Sequence, residues 1–158
     1  MAHQVHGRLI LLLVLAVAVS GLALVAWLRR RFVVVEVSGD SMRPSFHTGD
    51  RVLVRRIPPR RVRTGEVVVV EAPRPRMHQP GPERKWHIKR VAAVGGDPVP
   101  APVADAPALR NADRVPSGHL VVLGDNPGSS LDSRQRGFVP ADLVLGVVLR
   151  RLPPENSR

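Results

Sequence analysis

Three short polar runs in this chain carry residue types that together can perform acyl transfer. The first is SGDSMRP at residues 38–44, where glycine, aspartate and proline predict a tight turn that presents Ser41. The second is IKRV at 88–91, which contains Lys89, and the third is GDNPGSSLDSR at 124–134. A serine hydroxyl needs a base at neutral pH, and a lysine with a lowered pKa can be that base. The three runs together predict a serine–lysine hydrolase.

Each run taken alone also has an ordinary interpretation. Ser41 can be a turn serine whose hydroxyl satisfies the local backbone, and residues 124–134 can be a long hairpin loop. Lys89 can extend to solvent at the edge of a strand. Only the combination, in this order, favours catalysis.

Lys89 interrupts an otherwise apolar strand pattern at residues 86–94. Alternation places it on one face with His87, Val91 and Ala93. If that face is buried, the pKa of the Lys89 amine falls because burial disfavours the ammonium form. The pattern therefore predicts a neutral amine only for an inward-facing Lys89.

The elements that must position these residues are short and rich in valine. Valine-rich runs separated by glycine, proline and aspartate predict strands, so the domain is expected to be mainly β. The predicted strands are residues 32–37, 51–55, 67–71, 86–94, 120–123 and 143–149. Two proline-rich segments, 72–83 and 97–116, are expected to be surface loops or partly disordered insertions.

Residues 9–28 contain no charged side chain and are almost wholly apolar. Twenty helical residues rise about 30 Å, the thickness of a bilayer core. A cleaved signal peptide and a buried helix are the alternatives, but Trp27 and the following Arg29–Arg31 are typical of an uncleaved anchor. The expected organisation is a tail at 1–8, an anchor at 9–28, one domain at 32–152 and a frayed tail at 153–158.

Composition excludes several classes of function. The absence of cysteine rules out disulfides, thiolate metal sites and cysteine catalysis. A formal net charge of +11 can attract membrane lipids or nucleic acid. No homeodomain, zinc-finger or basic-zipper pattern accompanies that charge, so no nucleic-acid partner is expected.

The same runs resemble the successive conserved segments of bacterial type I signal peptidases, serine–lysine peptidases of the S26 type. The matching segments are SGDSMRP at 38–44, GEVVV at 65–69, KRV at 89–91 followed by GGD at 95–97, and GDN…SLDSR within 124–134. The resemblance implies an antiparallel β-sheet catalytic domain behind an N-terminal transmembrane helix. It also implies removal of signal peptides from exported preproteins at the outer face of the bacterial cytoplasmic membrane, with no metal or organic cofactor.

The resemblance assigns roles residue by residue. Ser41 matches the nucleophile, and Lys89 matches the general base that later acts as acid. Ser130 matches a hydroxyl that helps to orient the lysine, while Asp132 and Arg134 match residues that brace the site.

Substrate recognition and the oxyanion hole follow the resemblance with two departures. Met42 matches a residue of the substrate groove, which in the family accepts small side chains at the first and third positions before the cleaved bond. Gly39 stands where some members have an oxyanion-stabilising hydroxyl, so the Ser41 N–H needs other local help. Pro127 replaces the usual arginine, which implies the loss of one bracing contact.

Orientation and breadth of function stay open at the level of sequence. One arginine, Arg8, precedes the apolar segment, whereas three, Arg29–Arg31, follow it. This excess of positive charge after the segment favours a cytoplasmic domain, whereas the resemblance implies the outer face. The alternatives to a general signal peptidase are a dedicated leader or maturation peptidase and a non-catalytic basic membrane-anchored binding protein. Self-cleavage, as in repressor-type relatives, is disfavoured by the anchor.

Overall fold

One long helix leads into a seven-stranded antiparallel sheet in the computed structural model of this chain. It describes residues 2–71, 86–107, 109 and 112–153, with the backbone alone for residues 2–12. The sheet order is β1-β2-β7-β3-β4-β5-β6. Helix α1 is Ala2–Arg31, and the strands are β1 Phe32–Glu36, β2 Arg51–Arg55, β3 Val67–Glu71, β4 Trp86–Val94, β5 His119–Leu123, β6 Val139–Pro140 and β7 Val144–Leu152. The prediction of a mainly β fold with one N-terminal apolar helix is confirmed.

Helix α1 contains a segment, Leu13–Arg31, that is long and apolar enough to cross a membrane, with a mean hydropathy of 1.8. Strand β1 begins directly after the helix, without a linker. The Arg56 N–H also donates to the Arg31 carbonyl at 2.9 Å, which ties the end of β2 to the end of the helix. The sheet therefore starts at the point where α1 ends.

The sheet is covered on both faces, and this explains the unbroken valines of β3. Val68 and Val70 pack in one cluster of buried residues, whereas Val69 packs in a second. A strand that is buried on both sides has no solvent face to make polar, so its sequence does not alternate. The first cluster also contains Val62, Val91, Leu120, Val122, Val139, Ala141, Val144 and Val147, and the second contains Val37, Met42, Val52, Val54 and Ile88.

A β-bulge in β4 changes the face on which its last residues lie. Val91 pairs with Val122, but Ala93 pairs with Val121, so one residue of β4 is extra. An extra residue reverses the alternation beyond it. Ala93 therefore packs with Val121 in a third cluster, and its predicted placement on the Lys89 face is wrong.

The described residues of the segment 97–116 are mostly exposed, as predicted for a surface segment, but they are folded and anchored to the sheet instead of forming a disordered insertion. It contains a short helix, α2 Ala101–Ala104, and a bridge between Pro98 and Arg114. Val103, Leu109 and Val115, scattered among its prolines, are buried in the third cluster. The predicted proline-rich loop at 72–83 and residues 154–158 of the predicted tail lie outside the described residues.

Candidate active site

The turn that carries Ser41 is fixed from both sides. Met42 is 1 % exposed and packs in the second cluster, which anchors the turn in the core. Before it, Gly39 adopts a φ of +88° that favours glycine, and its N–H donates to Thr48 Oγ1 at 3.1 Å. After it, the Phe46 N–H donates to the Met42 carbonyl at 2.9 Å. Ser41, between these contacts, is half-buried.

Lys89 meets Ser41 from the middle of β4. Its Nζ lies 2.8 Å from Ser41 Oγ, within hydrogen-bonding distance. The side chain is 3 % exposed, so the predicted inward orientation of Lys89 is confirmed. Burial lowers the pKa of the Lys89 amine, Asp132 opposes this shift, and Arg136 and Arg134 add to it. A buried amine with a lowered pKa beside a hydroxyl is the arrangement that a general base requires.

Asp132 is the centre of the loop that follows β5. Its Oδ2 accepts hydrogen bonds from Ser130 Oγ at 2.6 Å and from the Gly124 N–H at 2.8 Å. Its Oδ1 accepts from the Arg134 N–H at 3.1 Å and so caps the short helix α3, Ser133–Arg136. Arg134 NH2 lies 3.2 Å from the same carboxylate and donates to the Gly124 carbonyl at 3.1 Å. The loop is thus closed on itself through one buried carboxylate.

The loop also holds the serine turn directly. The Asn126 N–H donates to the Ser41 carbonyl at 3.0 Å, and its side-chain amide donates to the Asp40 carbonyl at 3.1 Å. Gly124 lies so close that a Cβ there would be 2.6 Å from the Ser41 carbonyl oxygen. The position of Ser41 therefore depends on residues more than eighty positions later in the chain.

A second link joins the serine turn, β4 and the loop through charge. Arg90 donates to both oxygens of Asp125, at 2.8 and 2.7 Å, and Ser45 Oγ donates to Asp125 Oδ2 at 2.5 Å. The hydrogen bond from Arg90 holds the pKa of the Asp125 carboxyl below its usual range. Because Arg90 follows Lys89 directly, this pair fixes the strand residue next to the proposed base.

Sequence reasoning missed the contributions of Arg90, Asp125 and Asn126. The signal was present, because an arginine beside Lys89 and an Asp–Asn pair at the start of the loop are complementary. Nothing in the spacing of residues 90 and 125, however, shows that β4 and the loop after β5 meet at the serine turn.

Two of the predicted site residues lie differently from the simplest expectation. Ser130 donates its single hydroxyl proton to Asp132, so only its lone pairs are left for the lysine ammonium. Met42 is buried in the core, so its predicted contact with substrate stays a prediction. Asp132 and Arg134 lie together beside the lysine, and Pro127 begins an exposed 3₁₀ turn, Pro127–Ser129.

A groove passes over Lys89 and Asp132. Its apolar wall is formed by Val70, Val122, Leu131 and Val139, and its polar lining also includes Glu71, His87 and Arg136. Leu131 is 54 % exposed, although it lies in the loop between two buried residues. This mainly apolar groove lies beside the Lys89 amine, where it can receive a small apolar group.

Comparison with known proteins assigns this arrangement to a family. Residues 7–102 and 100–152 match the family described as "Signal peptidase, peptidase S26". A probable signal peptidase I-1 of Synechocystis sp. is 31 % identical over 85 % of this chain and 79 % of its own length. A signal peptidase I of Leptolyngbya laminosa is 30 % identical over 86 % and 77 %, respectively. A mitochondrial inner membrane protease subunit 1 of Schizosaccharomyces pombe is 33 % identical over 78 % and 74 %.

Proposed function

The chain belongs to the peptidase S26 family of signal peptidases, and within that family we propose that Ser41 and Lys89 are its catalytic pair. It is a serine peptidase that acts on preproteins and removes signal peptides. The observation that carries the assignment of the pair is the 2.8 Å approach of the buried Lys89 amine to Ser41 Oγ.

The chemistry follows from the protonation of Lys89. Its neutral amine takes the proton of the Ser41 hydroxyl while Oγ attacks the peptide carbonyl. The resulting ammonium then protonates the leaving amine, and the acyl group stays on Ser41 as an ester. Water, deprotonated by the same amine, hydrolyses the ester and restores the serine. Burial supports this cycle because it keeps the amine neutral at a pH where an exposed lysine is charged.

Stabilisation of the oxyanion is assigned to the Ser41 N–H. No described residue accepts a hydrogen bond from this group, so it is free to bind a developing negative charge. The Gly39 N–H is engaged by Thr48 and is not available in the same conformation. The second donor is therefore another group near the turn or a water molecule.

Ser130, Asp132 and Arg134 act on Lys89 rather than on the substrate in this proposal. Ser130 presents its lone pairs towards the lysine region while Asp132 holds its proton. Asp132 favours the ammonium form, which is needed when Lys89 acts as acid, and Arg134 opposes it. Because Asp132 and Arg134 shift the pKa of Lys89 in opposite directions, the same amine can accept a proton and then return it.

The substrate is proposed to be an exported preprotein with small side chains at the first and third positions before the cleaved bond. The groove over Lys89 and Asp132 is small and mainly apolar, which supports a small side chain next to the reacting atoms. Met42 is buried in the second cluster and does not line this groove, so its proposed role in substrate binding rests on the resemblance alone.

The protein is a membrane-associated peptidase with one apolar N-terminal helix. We place the catalytic domain on the outer face of the bacterial cytoplasmic membrane, with α1 as a single-pass anchor. Arg29–Arg31 favour the opposite orientation, but long domains translocate despite flanking charge. A reporter fused after residue 158 tests this placement.

A second candidate is a dedicated maturation peptidase with one or few substrates. Its support is the similarity to a mitochondrial inner membrane protease subunit 1, which covers 78 % of this chain. Breadth of cleavage distinguishes the two candidates, because a general peptidase cuts several unrelated preproteins.

The test uses the full-length protein in membranes with a panel of preproteins. Wild type is expected to cleave after small side chains, and Ser41→Ala and Lys89→Ala are expected to lose cleavage while staying folded. Ser129→Ala is the matched control, since Ser129 is an exposed serine of the loop at 124–134 that contacts the Ser41 turn. Full activity of Ser41→Ala would refute the assignment of the nucleophile. If the wild type cleaved none of the preproteins, a dedicated peptidase and a non-catalytic binding protein would both remain.

A further inference from the structure

Exposed arginines lie near the point where α1 enters the sheet. We call this set the basic collar, and it consists of Arg29, Arg30, Arg31, Arg55, Arg56, Arg60 and Arg61. All seven side chains are exposed. The collar comes from three separate parts of the structure, namely the end of α1, the end of β2 and the 3₁₀ turn Pro59–Arg61.

Backbone contacts bring these three parts together. Arg55 pairs with Phe32, the first residue after α1, and the Arg56 N–H donates to the Arg31 carbonyl at 2.9 Å. The turn Pro59–Arg61 contacts the turn Ala141–Leu143, from which β7 starts. Since Val147 of β7 pairs with Arg55, this turn lies at the same end of the sheet as α1. The three parts of the collar therefore lie at the same end of the sheet, where α1 joins β1.

The charges of the collar are not neutralised within the part of the fold that the structure describes. Among the described residues, no acidic side chain forms an ion pair with any of the seven arginines. Other arginines are engaged: Arg90 binds Asp125, Arg134 binds Asp132 and Arg151 binds Asp50. Like charges packed closely without partners oppose folding, so their concentration at one place indicates an external anion.

The position of the collar identifies the source of that anion. Arg31 lies over the ring of Trp27, 5.4 Å from its centroid, and tryptophan beside a basic residue is typical of the membrane–water interface. A charged surface at the end of an apolar helix faces the phosphates of the bilayer that the helix crosses.

We propose that the basic collar binds the headgroups of anionic lipids and thereby holds the catalytic domain against the bilayer surface. The proposal rests on the proposed function only in that α1 spans the membrane. The short connection matters, because β1 follows α1 directly and lipid contacts on the collar then fix the tilt of the whole sheet. Arginine suits this role, since its planar guanidinium binds phosphate with two hydrogen bonds.

The test measures which lipids surround Trp27 in the full-length protein. The chain has two tryptophans, so Trp86→Phe leaves Trp27 as the reporter. The protein is reconstituted in vesicles of phosphatidylcholine and phosphatidylglycerol, with bromine, which quenches tryptophan, on the acyl chains of one lipid at a time. Stronger quenching by brominated phosphatidylglycerol is expected. The preference should weaken in 0.5 M salt, because screening shortens the reach of surface charge.

Two variants at the same positions separate charge from structure. Replacement of Arg56, Arg60 and Arg61 together by glutamine should reduce the preference, by up to about fivefold for each charge in contact with the surface. Replacement of the same three by lysine should keep most of it. Arg150→Gln, an exposed arginine outside the collar, should leave it unchanged.

Three results would overturn the proposal. They are an unchanged preference in the glutamine variant, an equal loss in Arg150→Gln, and collar-dependent binding of duplex DNA without any lipid preference. Preprotein cleavage in the same vesicles keeps this test separate from that of the proposed function. Cleavage without a lipid preference refutes only the collar, and a lipid preference without cleavage supports the collar while counting only against a general peptidase.

Discussion

Replacement of Gly124 by alanine is expected to move Ser41, the proposed nucleophile, without changing its side chain. A Cβ at residue 124 would lie 2.6 Å from the Ser41 carbonyl oxygen and 2.6 Å from Ser130 Cβ. Ordinary contact begins at about 3.4 Å, so these neighbours must move apart by about 0.8 Å. Rotation of a side chain cannot relieve the first contact, because the Ser41 carbonyl is backbone.

The expected loss of rate and of stability follows from the small displacement that the reacting groups and the packed loop tolerate. A displacement of about 1 Å between reacting groups costs on the order of 10²-fold in rate. Overpacking of a buried position costs about 1–3 kcal/mol of stability. We therefore expect Gly124→Ala to lose about two orders of magnitude in kcat/KM on a preprotein peptide, together with a lower Tm.

Gly128→Ala is the matched control, because this glycine lies in the same loop and a Cβ there meets nothing within 4 Å. It should keep wild-type kcat/KM to within a factor of about two, as surface substitutions usually do. If Gly124→Ala cleaves as fast as Gly128→Ala with an unchanged Tm, the contact between the loop and the serine turn does not position Ser41.

Further predictions concern Lys89 and the charge pair beside it. The kcat/KM of the wild type should rise with pH through the lowered pKa of Lys89 and level off below the ordinary lysine value of 10.5; a profile that rises only near 10.5 would contradict burial of the amine. Lys89→Met should abolish cleavage yet raise the free energy of unfolding, by an amount that grows as pH falls from 10.5 towards the lowered pKa. The reason is that the unfolded chain binds the Lys89 proton more tightly in that window, so the stability of the wild type decreases as pH falls, whereas Lys89→Met lacks this decrease; a pH-independent difference in urea unfolding would refute it. Asp125→Asn should lower the free energy of unfolding by about 1–3 kcal/mol, since it leaves a doubly hydrogen-bonded Arg90 without its charge partner. Asp40→Asn, in an exposed pair with a 3.6 Å separation, should cost under about 1 kcal/mol, and equal losses would show that the Asp125 pair has no special role.

Local patterns in the sequence were sufficient to predict most of the sheet. The predicted strands at 51–55, 67–71 and 86–94 coincide with β2, β3 and β4, because valine-rich runs bounded by glycine and proline carry their own signal. The two-residue strand β6 was not predicted, since it depends on pairing with His119 and Leu120 rather than on its own residues.

Tertiary context decided the features that sequence did not predict. Prolines at 97–116 suggested a loop or a disordered insertion, yet three apolar side chains anchor the segment to the sheet. The bulge that moves Ala93 to the other face arises from the pairing of β4 with β5, which leaves no local mark. The approach of Arg90 to Asp125 similarly requires that β4 and the loop after β5 meet.

In the proposed mechanism Ser41 is a nucleophile that the buried amine of Lys89 activates. The most direct measurement is the rate and site of covalent modification by a peptide-like β-lactam acylator, followed by mass spectrometry of proteolytic fragments across a pH series. We expect one adduct on Ser41, formed faster as Lys89 loses its proton, absent in Ser41→Ala and strongly slowed in Lys89→Ala. An adduct on another serine, or a rate on Ser41 that is the same in Lys89→Ala, would contradict it.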